Sequence, residues 1–193
     1  MLTRASEQSS QRPPLSVRVA GARDAGGIAG VHVRAWQEGY RGLLPDELLD
    51  MLSVSERERQ WYERLSGASR EWVRTLAALQ GGRIVGFCSI AAPSRDADAG
   101  PRTAELAALY VDPDRWGEGI ADALMHATLE LLVASRGRWE ALTLWMLEGN
   151  ARALAFYRRY GFAPDGVRRS DGLTGPSGQP IPAPHQRLWA ALP

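Results

Sequence analysis

From Leu15 to Ala20 the chain alternates Leu, Val and Val with Ser, Arg and Ala, the period-two pattern of a strand with one solvated face. After Gly21 the spacing changes. Asp24 sits where a helix cap belongs, and Ile28, Val31 and Ala35 fall on one stripe, which predicts a helix to about Gly39. Two helical stretches follow, at about Asp46 to Leu52 and Ser55 to Leu65, with Ser55 and Glu58 at capping-box spacing. The runs Trp72 to Leu79 and Arg83 to Ala91 flank Gly81-Gly82 and read as an antiparallel hairpin. A turn-rich segment, Pro93 to Pro101, leads into Leu106 to Val111, an apolar run that reads as a buried strand ended by Asp112 and Pro113. Gly117 to Ser135 is expected to be a helix, with Ile120, Leu124, Ala127 and Leu131 on its apolar side. Trp139 to Leu147 is apolar at every alternation, as a central strand covered on both faces would be. Asn150 then caps a last helix, Gly161 takes the left-handed position after its end, and Phe162 is expected to fold back toward Phe156. Ala163 to Pro184 is dominated by Gly, Pro, Asp, Ser and Arg, which predicts a long loop between a short strand near Phe162 and a last strand at Gln186 to Leu192.

This order predicts a mixed α/β fold rather than a doubly wound parallel sheet. At 193 residues, 45% of them hydrophobic and 23% charged, the chain can bury one core. The expectation is a single domain over residues 15–193 and a flexible polar tail over residues 1–14, which end in a double proline. A formal net charge of +1, with no run of Lys or Arg, gives no reason to expect nucleic acid or an anionic membrane as partner. No apolar stretch reaches membrane-spanning length and the N-terminus has no signal-peptide core, so a soluble cytoplasmic protein is expected. The lone Cys88 lies in an apolar run and reads as a buried structural thiol. His32, His126 and His185 stand on separate elements without ligand spacing, and Asp96 and Asp98 lack the calcium-loop pattern, so no metal is expected.

Two stretches carry chemistry. In the first, a strand ends in Asp112-Pro113 and Trp116-Gly117-Glu118-Gly119-Ile120 opens a helix. That layout suits a phosphate, because the first turn of a helix has unpaired N–H groups and partial positive charge, and glycines let an anion approach the backbone. No Gly-Lys-Ser/Thr follows, which excludes the common nucleotide P-loop, and Asp122 breaks Gly-x-Gly-x-x-Gly. Alone, the stretch fits tight turn chemistry equally well. The second stretch is Gly149 to Phe162 with its capping asparagine. Trp36 and Tyr40, set among charges before a turn, read either as core packing of a helix end or as a wall of a substrate pocket.

Together these stretches resemble the GNAT superfamily of acyl-coenzyme A dependent N-acetyltransferases, and the resemblance runs from about Leu15 to Leu192. Val111 to Ala121 is similar to that family's pyrophosphate loop, Arg/Gln-x-x-Gly-x-Gly/Ala, except that Trp116 holds the place of the Arg or Gln and Arg115 lies one place earlier. Asn150 to Phe162 fills every marked position of its second motif, Asn-x-x-Ala-x-x-Phe-Tyr-x-x-x-Gly-Phe. The resemblance implies a central, largely antiparallel twisted sheet of about seven strands flanked by helices. It implies acetyl-CoA as cosubstrate, with no metal, held by Leu109, Tyr110, Val111, Arg115, Trp116, Gly117, Glu118, Gly119, Ile120, Ala121, Asn150, Ala153, Phe156 and Tyr157. The loop backbone would take the diphosphate, and the pantetheine arm would lie between the strands at Leu106 to Val111 and Trp139 to Leu147, pairing with Leu109 and Val111. The implied reaction is acetyl transfer to a primary amine by direct attack through a tetrahedral intermediate. Tyr157 would serve the leaving thiolate, and Glu105, taken to share a face with Ala107 and Leu109, would receive the amine proton through water. Trp36 and Tyr40 would line the acceptor side. A small-molecule amine is the first expected acceptor. A protein N-terminus or lysine, and a non-catalytic acyl-CoA-binding sensor, are the alternatives, and a homodimer is left open.

Overall fold

The computed structural model describes residues 13–67 and 73–192. The expected tail, apart from Pro13 and Pro14, lies outside the described residues, as does Trp72 at the start of the expected hairpin. The strands are β1 (Leu15–Val19), β2 (Arg74–Gln80), β3 (Arg83–Ala91), β4 (Thr103–Val111), β5 (Ala141–Leu147), β6 (Ala163–Thr174) and β7 (Pro180–Ala191). The helices are α1 (Ala25–Gly39), α2 (Asp46–Asp50), α3 (Val54–Ser66), α4 (Ile120–Val133) and α5 (Ala151–Arg159). All seven strands join one sheet in the order β1-β2-β3-β4-β5-β7-β6. Every neighbouring pair is antiparallel except β4 with β5. Among the described residues no helix is long and apolar enough to cross a membrane.

Each face of the sheet is covered by the helices whose apolar stripes were legible. The stripe of α4, with Leu124, Met125 and Leu132 fully buried, packs with Leu142, Leu144 and Leu188 into the largest cluster. Each such side chain contributes about 1.5–3 kcal/mol by leaving water. On the other face, Ile28 and Val31 of α1 and Trp61 of α3 close over Phe87 of β3. A Cβ on Gly86 would lie 2.9 Å from Ile120, so the missing side chain lets the start of α4 lie against β3. A smaller cluster joins Leu44, Leu48 and Leu49 to Leu147 and Ala183.

The structure corrects several local expectations. The cap of α3 is Ser53, whose side chain accepts from the Glu56 N–H, two residues before the expected Ser55 and Glu58. Phe162 folds back on Tyr157, with ring centroids 5.7 Å apart, rather than on Phe156. The expected long loop is instead the hairpin β6–β7. Its prolines at 180, 182 and 184 fall on alternate residues of β7, and the Pro184 carbonyl accepts from the Glu148 N–H on the side away from β6. The three missing N–H groups therefore all face the edge beyond the end of β5, and the β6 ladder loses none of its hydrogen bonds. Finally, β4 bulges between Leu106 and Ala108, where β3 runs directly from Ile90 to Ser89. The extra residue, Ala107, shifts the alternation of everything after it.

Candidate active site

The parallel pair β4 and β5 is short, running only from Thr103↔Ala141 to Leu106↔Leu144. Beyond it the strands part, and a cavity of about 600 Å³ opens between them. The Asp112 N–H bonds to the Val85 carbonyl of β3 at 2.9 Å, so the alternating residues Val111 and Leu109 turn their backbone groups toward the gap. One of these is already capped: the Trp116 indole N–H donates to the Val111 carbonyl at 3.0 Å.

The glycine loop closes one end of the cavity. Asp112, held by the Arg34 guanidinium, accepts from the Asp114 N–H and starts a tight turn, Pro113–Arg115. Gly117 and Gly119 then take φ of 82° and 78°, a region open to glycine and costly for other residues. Gly119 is the residue before α4, and no side chain caps that helix. The first-turn N–H groups are left without a side-chain partner, an arrangement that suits an anion. At the other side of the cavity the Asn150 side chain accepts from the Ala153 N–H at 3.0 Å and starts α5.

The structure brings Leu109, Tyr110, Val111, Arg115, Trp116, Gly117, Gly119, Ile120, Ala121, Asn150, Ala153, Phe156 and Tyr157 to the walls of this one cavity, together with Tyr40. Glu118 is not among the lining residues; its carboxylate pairs with Arg115 at 3.3 Å. The Tyr157 ring is buried, and no hydrogen bond engages its hydroxyl among the described residues. Burial, then the neighbouring Tyr110 and Cys88, holds that phenol well above its ordinary pKa, so it keeps its proton at neutral pH. Cys88 is a buried thiol 3.3 Å from the Thr128 hydroxyl, pushed up to about 11 by burial.

A second chamber of about 150 Å³ shares the walls Tyr40, Ala107, Tyr110, Trp145 and Leu147 with the first. Trp36 lines it, with Glu105, Arg95 and Arg169. Its aromatic side is a stack of neighbours. Trp36 meets Tyr40 edge-on at 5.0 Å, the Tyr40 and Tyr110 hydroxyls lie 3.2 Å apart, and His32 stacks on Tyr110 at 4.8 Å. His32 accepts from the Trp61 indole N–H at 3.1 Å, and burial, then Arg57 and Arg64, lowers its pKa to about 3.

Glu105 stands inside β4, 2% exposed, rather than at the strand's beginning. The bulge places it on the face of Ala108 and Tyr110, not with Leu109, which packs with Leu106 and Val111 on the other face. One carboxylate oxygen, Oε2, accepts from the Arg95 backbone N–H at 3.2 Å and from Arg95 Nε at 2.8 Å, and Oε1 accepts from Arg95 Nη2. Burial pushes the carboxyl up, but the Arg95 guanidinium outweighs it and the net direction is down, so Glu105 is ionised.

Arginines absent from the sequence-level site shape this chamber. Arg187 of β7, buried, forks onto Asp98 at 2.7 and 2.8 Å and bonds Asp165 at 2.7 Å. Asp96 accepts from the Trp145 indole N–H at 3.0 Å. The segment Pro93 to Pro101 is thereby tied to β5, β6 and β7, and it carries Arg95 to Glu105. Arg152 on α5 is the other omission: its guanidinium carbon lies 3.4 Å from the centre of the Trp116 ring. No signal in the sequence marks it, since it fills an unspecified place of the second motif.

Comparison with known proteins gives a consistent picture. The family model described as Acetyltransferase (GNAT) family matches residues 33–162. An uncharacterized N-acetyltransferase of Bacillus subtilis (strain 168) is 30% identical over 147 residues, which cover 76% of this chain and 79% of that one. An L-amino acid N-acetyltransferase of Escherichia coli (strain K12) is 28% identical over 160 residues, covering 81% and 88%. Among solved structures, the paia N-acetyltransferase of Thermoplasma acidophilum in complex with coenzyme A superposes with a TM-score of 0.67 over 92% of this chain and 99% of that chain. At 16% identity that likeness is one of fold.

Proposed function

The chain belongs to the GNAT family of acetyltransferases and is an N-acyltransferase, and from that premise we propose that it transfers the acetyl group of acetyl-coenzyme A to the primary amine of a small molecule. The observation that carries the small-acceptor reading is the second chamber. At about 150 Å³ it is the volume of roughly five to ten water molecules, and it shares five walls with the cofactor cavity. It is walled by α1, β4, β5 and the β6–β7 hairpin, which leaves room for an amine of a few heavy atoms rather than a folded terminus. The E. coli relative named for L-amino acids is in keeping with an acceptor of that size.

When bound, acetyl-coenzyme A supplies an activated acyl group as its thioester. The chain's own residues divide the rest of the work. The N–H groups at the start of α4 and the glycine loop bind the diphosphate, and the gap-facing backbone of Leu109 and Val111 holds the arm by strand-like pairing. Asn150, Ala153 and Phe156 form the opposing wall. Tyr157 keeps a proton on Oη at neutral pH and is the acid available to a leaving thiolate. Glu105 remains ionised, and Arg95 takes three of its roughly four acceptor positions. The remaining one, on Oε1, accepts a proton or hydrogen bond from the amine, directly or through a water. Trp36, Tyr40 and Tyr110 give the acceptor an apolar surface.

The test is steady-state kinetics with acetyl-CoA against a panel of small amines and short peptides. Tyr157→Phe is expected to lower kcat by about 10²-fold while leaving coenzyme A affinity unchanged. A wild-type protein that binds coenzyme A and acetylates only peptides, or nothing, overturns the small-amine reading.

A further inference from the structure

Three arginines line the cofactor cavity, and they are not equivalent. Arg115 pairs with Glu118 at 3.3 Å, and Arg159 with Asp122 at 2.9 Å, so each of those charges is offset beside the loop. Arg152 has no carboxylate partner among the described residues. Its side chain leaves the first turn of α5 and crosses to the glycine loop, where the guanidinium carbon sits over the Trp116 ring, 3.4 Å from its centre. On the way it passes the end of α1, where a Cβ built on Gly39 would lie 3.4 Å from Arg152 Nη2. Trp116 is itself fixed, because its indole N–H is committed to the Val111 carbonyl.

A guanidinium stacked on a ring uses its face and keeps its in-plane N–H donors free, the geometry that suits bidentate recognition of a phosphate. The glycine loop provides backbone donors but no uncommitted cation, since its Arg115 is engaged. We propose that Arg152, held on the Trp116 ring, is the side chain that binds the diphosphate of the coenzyme, supplying from the second motif's helix the charge that the loop lacks. The proposal rests on the acetyl-CoA reading above.

Calorimetry with coenzyme A and with 3′-dephospho-coenzyme A, each at low and high salt, tests it. Arg152→Gln is expected to weaken both ligands by about tenfold or more at low salt, and to flatten the salt dependence of the dissociation constant. Trp116→Leu, which keeps an apolar cover but removes the π face, is expected to weaken both by a smaller factor, about threefold. Placing the cation on the loop itself, Trp116→Arg in the Arg152→Gln background, should restore most of the affinity. An Arg152→Gln affinity within about twofold of wild type overturns the proposal, as does a loss that is the same at high salt, which would be packing rather than charge. A loss confined to coenzyme A and absent with the dephospho form moves the cation to the 3′-phosphate and overturns the diphosphate assignment. Wild-type protein that binds neither ligand refutes the acetyl-CoA reading itself, an outcome distinct from normal binding that Arg152→Gln leaves intact.

Discussion

The two chambers that meet at Tyr40, Tyr110 and Trp145 are built in different ways. The cofactor cleft is made mostly of backbone: a strand edge freed where β4 leaves β5, a left-handed glycine before α4, and the uncapped first turn of that helix. The smaller chamber is made of side chains that converge from α1, the segment Pro93 to Pro101, β4, β5 and the β6–β7 hairpin. A backbone site restricts residue type at each position, because only certain residues allow the required φ and approach. A side-chain site restricts only the sum of shape and charge. The cleft should therefore fail all at once when its conformation is disturbed, whereas the chamber should change preference by degrees.

The largest effect is expected in the cleft. Gly119→Val puts a β-branched residue at φ of 78°, where the turn must shift and misdirect the amides that follow. Loss of two charge-assisted hydrogen bonds amounts to about 3 kcal/mol or more, so coenzyme A affinity measured by calorimetry should fall about 100-fold or more, with the fold retained by circular dichroism. Unchanged affinity would mean that the cleft does not depend on the backbone conformation at Gly119.

In the chamber, Trp36→Ala should raise the acceptor KM about tenfold and leave that of acetyl-CoA alone, because Trp36 lines only the smaller cavity. Equal shifts in both constants would show that the ring acts through core packing instead.

The third test is a pH profile. With Arg95 in place, Glu105 titrates below its ordinary value of 4.5, so it contributes no acidic limb to kcat near neutrality. Arg95→Ala leaves burial as the dominant influence, which raises the carboxyl pKa, and the acidic limb should move upward in pH. Superimposable profiles for the two proteins would take Glu105 out of the chemistry.

The last test concerns the aromatic floor and reads stability rather than binding or rate. Unfolded, His32 takes up a proton below its ordinary value of 6.5; folded, it resists until about 3. The unfolded chain binds more protons in that window, so His32's contribution to stability is present above pH 6.5 and declines as pH falls toward 3, by at most about 1.4 kcal/mol per pH unit. Urea midpoints measured from pH 7 to pH 4 should show a shallower decline for His32→Asn. Parallel declines would mean that the imidazole is protonated within the fold.

How much of this was legible follows the same division. Asn150 acts through backbone geometry three residues away and was read correctly as a cap from its neighbours in sequence, whereas the helix expected from Gly117 begins only at Ile120, because Gly117 and Gly119 take left-handed φ. The bulge at Ala107 was not legible, because no glycine or proline marks it and it exists only through the register with β3. It is the bulge that brings Glu105 and Tyr110 to one face. The prolines of β7 were read as loop residues, since nothing local says that β5 ends where they begin.

By itself, then, the sequence determined the helices and most strands, through periodicities of two and 3.6, and it determined the glycine loop and the capped helix of the cofactor side, through constraints that act over a few residues. The tertiary structure alone decided the gap between β4 and β5, the burial of Glu105 under Arg95, the Arg187 cluster and the stack of Arg152 on Trp116. Each of these joins residues distant along the chain, and a charge or a ring carries no mark of its partner until the fold has brought the two into contact.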